Sequence, residues 1–232
     1  MNANGFEKLH GIDEMDEKQV LTLCRTAEWL TRQKLSGTIE LYRPVKVQTG
    51  RTPRQTGARR IRRTNVMKRI GILGAGTWGM ALARMLTVSG NDVLVWSAIA
   101  KEIDSLSTTR KHPNLPQMKI PDELRFTKSI EEVCKDKDIL LFAVPSVFVR
   151  STAAKARPYV ADGQIIVDVA KGIEPDTLYT MTEILADELG KEGGPKDVRL
   201  VALSGPTHAE EVAIDLPTTI VSASKDRAVS YT

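Results

Sequence analysis

Three glycines at fixed spacing, Gly74-Ala75-Gly76-Thr77-Trp78-Gly79, stand between the apolar run RIGIL and a segment with helical periodicity. Each has its own mechanical reading. Gly74 permits a tight turn, Gly76 lets the main chain approach a pyrophosphate, and Gly79 lets the helix lie against the strand. The helix N-terminus adds unpaired N–H groups and a partial positive charge, a setting that suits phosphate oxygens. Alone, a glycine triplet of this spacing is weak evidence. In a strand–turn–helix unit of about 30 residues it has the context that dinucleotide binding requires.

Further chemistry-bearing residues follow other apolar runs. Lys171 in Asp168-Val169-Ala170-Lys171-Gly172 can direct an ammonium at an anionic or hydroxylic group, although a loop lysine is ordinarily only solvated. In Ala143-Val144-Pro145-Ser146-Val147-Phe148 the proline fixes a turn, and Phe148 is either a flank for a nicotinamide ring or a core residue. In Ser204-Gly205-Pro206-Thr207-His208 the proline suits a first helical position, with backbone N–H groups for an anion before it. His208 has no evident carboxylate to orient it and reads as structural rather than as a general base. The run DVLVW continues into Ser97-Ala98-Ile99-Ala100-Lys101. It offers neither an acid for the ribose of NAD nor an arginine for the 2′-phosphate of NADP, so both coenzymes stay open. Lys101 is either near a 2′-phosphate or a solvated helix lysine.

The elements that must position these residues are legible from Met67 onward. RIGIL, DVLVW, ILLFAVP, QIIVDV and RLVALSGP are apolar throughout, and helical patterns separate them, near 99–107, 146–157 and 177–189. Such alternation predicts an α/β fold with a doubly wound, mainly parallel sheet of the Rossmann type, covered on both faces. Its ligand crevice lies beyond the carboxyl ends of the strands, which is where the residues above fall.

Residues 1–66 differ in kind. They carry 13 Lys/Arg against 7 Asp/Glu, and eight of the basic residues lie between Arg43 and Arg63 with no acid among them. Residues 14–35 predict one amphipathic helix, TIELY a short strand, and 43–65 an exposed basic linker. The domain reading is therefore an unrecognised extension over 1–66 and a dinucleotide-binding domain over 67–232. Cys24 and Cys134 lie far apart with no ligand-spaced histidine, which argues against a disulfide framework or a metal site. No apolar run approaches the roughly 18 residues of a membrane span, and the N-terminus lacks a signal-peptide pattern, so a cytoplasmic protein is expected.

In order, GAGTWGMALA, NLPQMKIP, AVPS, KGIEPDTL and SGPTHAEEVAIDLPT resemble the bacterial NAD(P)-dependent glycerol-3-phosphate dehydrogenases over roughly 67–224. The resemblance implies reversible reduction of dihydroxyacetone phosphate to sn-glycerol 3-phosphate, the backbone precursor of phospholipids. It implies that Thr77 and Trp78 line the dinucleotide and that Phe148 flanks the nicotinamide. It places Lys171 against both cofactor and substrate, Gly205 and Thr207 against substrate, and Ala209 against cofactor. A basic residue common in the family near position 98 or 99 is replaced by Ala98 and Ile99. The family draws its reaction proton from a lysine on a helical second domain and allows a homodimer. That domain should begin shortly after Val221, so these 232 residues are expected to hold most of a cofactor domain without the proton donor.

Two functional classes are open on this evidence: a dehydrogenase, and a noncatalytic dinucleotide-binding module or remnant. For the extension, a misassigned start or a fused unrelated sequence is the favoured reading, ahead of a solvated arm. The basic cluster lacks interleaved aromatics, and nucleic acid is not the expected partner.

Overall fold

Residues 67–230 are described by the computed structural model. The extension, with the amphipathic helix, short strand and basic linker expected of it, lies outside the described residues.

Seven strands form one sheet: β1 Arg69–Leu73, β2 Asp92–Trp96, β3 Arg125–Thr127, β4 Ile139–Phe142, β5 Gln164–Asp168, β6 Val198–Ser204 and β7 Val221–Ser224. Their order is β3-β2-β1-β4-β5-β6-β7, parallel throughout except for the antiparallel β6–β7 pair. Among the described residues seven α-helices connect or follow them: α1 Thr77–Val88, α2 Ala100–Thr109, α3 Ile130–Cys134, α4 Val149–Ala156, α5 Met181–Leu189, α6 Ala209–Val212 and α7 Arg227–Ser230.

β1 and β2 show no alternation of polar and apolar residues because both of their faces are covered. Ile70, Ile72, Val93 and Val95 pack with Met80 and Ala83 of α1 and Ile103 and Leu106 of α2. On the opposite face Leu73, Leu94 and Trp96 pack with Val133 of α3, Val149 and Ala153 of α4, and Ile184 of α5. A parallel sheet with helices on both sides is thus the doubly wound fold that the continuous apolar runs required. After β3 the chain crosses to the other side of β1 and enters β4. The strand order reverses there, and the crevice opens between the carboxyl ends of β1 and β4.

Several local expectations are corrected. The helix expected near 146–157 begins as a 3-10 turn over Ser146–Phe148, and only Val149–Ala156 is α-helical. The one expected near 177–189 starts at Met181, because Thr180 and Glu183 form a reciprocal capping box and Leu178 has a positive φ of 57°. β3, α3 and β7 are too short to leave a periodic signal. Among the described residues, no helix is long and apolar enough to cross a membrane, and no group of three or more His, Cys, Asp or Glu is arranged to hold a metal ion.

Candidate functional site

The first strand end is locked in place by main chain. The Gly74 N–H donates to the Trp96 carbonyl at 2.8 Å, and the Ala143 N–H donates to the Leu73 carbonyl at 2.9 Å. Gly74 has φ +124°, and a Cβ on it would lie 2.6 Å from the Ala143 carbonyl oxygen. A Cβ on Gly79 would lie 2.2 Å from the Gly74 carbonyl oxygen. Both glycines are therefore demanded by the fold.

Gly76 is different. Its φ of −67° and ψ of 177° are open to any residue, and a Cβ there would meet nothing within 4 Å. Nothing in the surrounding fold requires glycine at this position. Gly76 also caps α1 with no side-chain acceptor, and the first turn carries no acidic residue. The orphan N–H groups of that turn have no local anion. Open space and an uncapped helix end together fit a pyrophosphate.

Two residues outside the motif hold this turn. Asn114 Nδ2 donates to Thr77 Oγ1 at 3.3 Å, and the Asn114 N–H donates to His112 Nδ1 at 3.3 Å. His112 is buried beneath the turn; burial pushes its pKa down, and a hydrogen bond to the Ala75 backbone opposes that shift. The motif NLPQMKIP carries no sign of this role for Asn114, and the sequence gives none for His112. Neither contact leaves a spacing signal, since each joins residues 37 apart in sequence.

Beyond β5, the Asp168 carboxylate accepts the Ala170 N–H at 3.2 Å. Burial pushes this carboxyl up to about 7, with the Ala170 bond pulling the other way. Lys171 is exposed, and its Nζ donates to the Gly205 carbonyl at 3.2 Å, joining the ends of β5 and β6. The segment after Lys171 is tied down from behind. Arg150 of α4 makes two 2.7 Å hydrogen bonds to Glu174 and also contacts Asp187 and Glu188 of α5. Its guanidinium draws the Glu174 carboxyl down to about 2.

At the end of β6 the Thr207 N–H donates to the Gly205 carbonyl at 2.9 Å. Pro206 is not a first helical residue: α6 starts at Ala209 and spans only four residues, with exposed His208 at its cap. The anion setting expected there is not built by a helix end. Arg84 of α1 binds both carboxylate oxygens of Asp215, at 2.7 and 2.8 Å, and so ties the chain after α6 to α1.

These strand ends enclose a cleft of about 360 Å³ lined by Gly76, Thr77, Trp78, Ala143, Val144, Pro145, Val169, Ala170, Lys171, Thr207 and Ala209. The volume is in the range of small-ligand sites. Of the predicted residues, Gly76, Thr77, Trp78, Lys171, Thr207 and Ala209 meet there. Gly74 and Gly79 shape the turn behind the lining, and Gly205 reaches the site through Lys171. Phe148 is 56% exposed, so the core reading fails for it, and it does not line the cleft.

A family model described as the NAD-dependent glycerol-3-phosphate dehydrogenase N-terminus matches residues 69–230. A glycerol-3-phosphate dehydrogenase [NAD(P)+] 2 from Lactobacillus delbrueckii subsp. bulgaricus is 68% identical over 164 residues, which is 71% of this chain and 49% of that protein. A glycerol-3-phosphate dehydrogenase [NAD(P)+] from Agathobacter rectalis is 46% identical over 160 residues, 68% of this chain and 46% of that protein. The crystal structure of glycerol-3-phosphate dehydrogenase from Coxiella burnetii superposes with a TM-score of 0.62 at 30% identity, covering 71% of this chain and 49% of that one. The chain thus spans about half the length of the curated relatives it matches. With the glycine turn, the Lys171 loop and the Thr207 loop all inside the matched span, the chain belongs to the NAD-dependent glycerol-3-phosphate dehydrogenase N-terminus family.

Proposed function

We propose that residues 67–232 are the coenzyme-binding half of an NAD(P)-dependent glycerol-3-phosphate dehydrogenase, with residues 1–66 an extension outside that unit. The observation that carries this reading is Gly76, a glycine that the fold does not need, at the uncapped start of α1 in a cleft shared with Lys171 and Thr207. The pyrophosphate of NAD or NADP would rest on the α1 N-terminus, between Gly76, Thr77 and Trp78. When bound, the dinucleotide supplies or accepts the hydride exchanged with the carbon that is a ketone in dihydroxyacetone phosphate and an alcohol in sn-glycerol 3-phosphate. Lys171, Gly205 and Thr207 form the substrate end in this reading, and Ala209 borders the coenzyme. The Lys171 ammonium, held by the Gly205 carbonyl, favours negative charge developing on the substrate oxygen or carried by its phosphate. Phe148, exposed just beyond the cleft-lining Pro145, flanks the nicotinamide only after its ring turns inward. The proton donor lies outside residues 67–230. Cytoplasmic placement, a homodimer and a place in phospholipid precursor synthesis belong to the same reading and rest on the resemblance.

A second reading is a dinucleotide-binding module without catalysis, since a unit of this fold can hold a dinucleotide without carrying out a reaction. One experiment addresses both. The 232-residue chain is titrated with NADH and with NADPH by fluorescence, then assayed for NAD(P)H oxidation with dihydroxyacetone phosphate. Binding with turnover supports the dehydrogenase, and binding without turnover supports the module. If the folded chain binds neither coenzyme, the proposal fails.

A further inference from the structure

The carboxyl end of β2 carries an acid that the linear sequence does not place there. β2 ends at Trp96, whose carbonyl accepts the Gly74 N–H, so the next residue borders the glycine turn. That residue, Ser97, is buried. Its hydroxyl donates to Glu102 Oε2 at 2.5 Å and accepts the Ile99 N–H at 3.1 Å. Glu102, in the first turn of α2, is thereby folded back over the end of β2. Its Oε1 has no hydrogen bond within the protein among the described residues, and the residue is only half-buried.

We infer that Glu102, held by Ser97, accepts a hydroxyl of the adenosine ribose and makes this cleft select NAD(H) over NADP(H). The inference rests on the dinucleotide reading above. In doubly wound folds an acid at the end of the second strand binds the ribose diol, while a 2′-phosphate needs a cation there. Here the acid arrives from the following helix instead of from the strand. A 2′-phosphate would bring close to two negative charges toward a carboxylate. Two cations on or beside α2 are committed elsewhere. Lys128 pairs with Asp104 at 2.5 Å, and the Arg110 guanidinium donates to the carbonyls of Leu124 and Asp122 and lies over the Phe126 ring. Ala98 and the exposed Ile99 carry no charge. Lys101 is exposed, with no ion pair among the described residues, and is a rival for a 2′-phosphate.

The same hydrogen-bonding device recurs one unit along. Thr127 donates to Glu132 at 2.5 Å and accepts the Ser129 N–H at 3.0 Å, at the end of β3 on the sheet edge. It stabilises a strand-to-helix turn away from the glycine loop, and so it serves as an internal control. Glu102 adds a ligand role to a device whose folding role is visible in that copy.

The test is a fluorescence titration of the full 232-residue chain with NADH and NADPH, with folding checked by circular dichroism melts. Wild type should bind NADH at least about tenfold more tightly than NADPH. Glu102→Gln, which keeps a hydrogen bond to Ser97, should bring the two affinities within about threefold, chiefly by tightening NADPH. Glu132→Gln and Lys101→Ala should leave the wild-type ratio in place. Equal binding by wild type, an unchanged ratio in Glu102→Gln, or a selective loss of NADPH in Lys101→Ala overturns the inference while leaving the cleft a dinucleotide site. Failure of folded wild type to bind either coenzyme overturns the dinucleotide reading itself.

Discussion

The glycine turn makes a prediction in which one added methyl group has opposite consequences three residues apart. In Gly79→Ala the new Cβ would start 2.2 Å from the Gly74 carbonyl oxygen and 3.2 Å from Ala143 Cβ. Relief requires α1 to lift from β1 by about an ångström, since the obstructing atom is backbone. Overpacking of this kind costs typically 1–3 kcal/mol, and a clash with backbone belongs near the upper end. Alanine's better helix propensity returns up to about 1 kcal/mol. The net loss is about 2–3 kcal/mol, and at roughly 2–4 °C per kcal/mol for a domain of this size Tm falls by about 4–12 °C.

In Gly76→Ala the Cβ meets no protein atom, and the backbone angles already suit alanine. Lower unfolded-state entropy contributes roughly 0.4–1 kcal/mol of stability, and a poorer N-cap removes a similar amount. Tm should therefore stay within about 2 °C of wild type. The methyl group instead occupies the space through which a pyrophosphate approaches. If the ligand meets the strain typical of one surplus methyl, about 1–3 kcal/mol, the NADH dissociation constant rises roughly 5- to 150-fold. Thermal melts and fluorescence titrations of the two variants, run side by side, decide the matter. Gly76→Ala melting as low as Gly79→Ala, or binding NADH like wild type, would refute the division between a packing glycine and a ligand glycine.

Asp168 gives a pH dependence of unusual sign. Because its folded-state pKa is raised to about 7, the folded chain keeps a proton that the unfolded chain releases near pH 4, and stability declines as pH rises between those values. Asp168→Asn should add about 2–4 kcal/mol in urea unfolding at pH 8 and almost nothing at pH 4. His112 acts in the other direction: with its pKa lowered by burial, stability present above about pH 6.5 is lost as pH falls, and NMR titration of its ring protons should show a midpoint below that of a free imidazole. Arg84→Ala removes a bidentate pair whose acidic partner Asp215 is 60% exposed, so urea unfolding should show a loss of only about 1–2 kcal/mol.

What the sequence disclosed was the part of the site made by main chain. Gly74, Gly79 and Pro145 report backbone geometry directly, because each type is used where φ, close approach or a missing N–H demands it. The five unbroken apolar runs likewise disclosed a parallel sheet covered on both faces, and with it the side of the sheet on which ligands lie. β3 and β7, of three and four residues, gave no sign, because their pairing is decided by the sheet they join rather than by their own pattern. The side-chain clasps were equally hidden. Asn114 to Thr77, Lys171 to Gly205 and Arg84 to Asp215 join residues 37, 34 and 131 positions apart, and no local spacing encodes them. Ser97 and Glu102 are only five apart, yet a strand end read strictly for its own terminal acid misses one supplied by the next helix.

Sequence treats the three glycines of the turn as equals, and the structure does not. A turn kept only for packing would need Gly74, whose φ and neighbouring Ala143 carbonyl exclude a side chain, and Gly79, whose hydrogen faces the Gly74 carbonyl. It would have no use for a glycine at 76, where alanine, serine or aspartate fits the backbone, and serine or aspartate would also cap α1. An aspartate there would even improve the isolated helix through its dipole. That same charge would repel a phosphate. A position that forgoes an available cap, an available charge and an available side chain, at the open end of a helix facing a cleft, has no reason in the surrounding fold to be glycine, and this is what favours the proposed dinucleotide site.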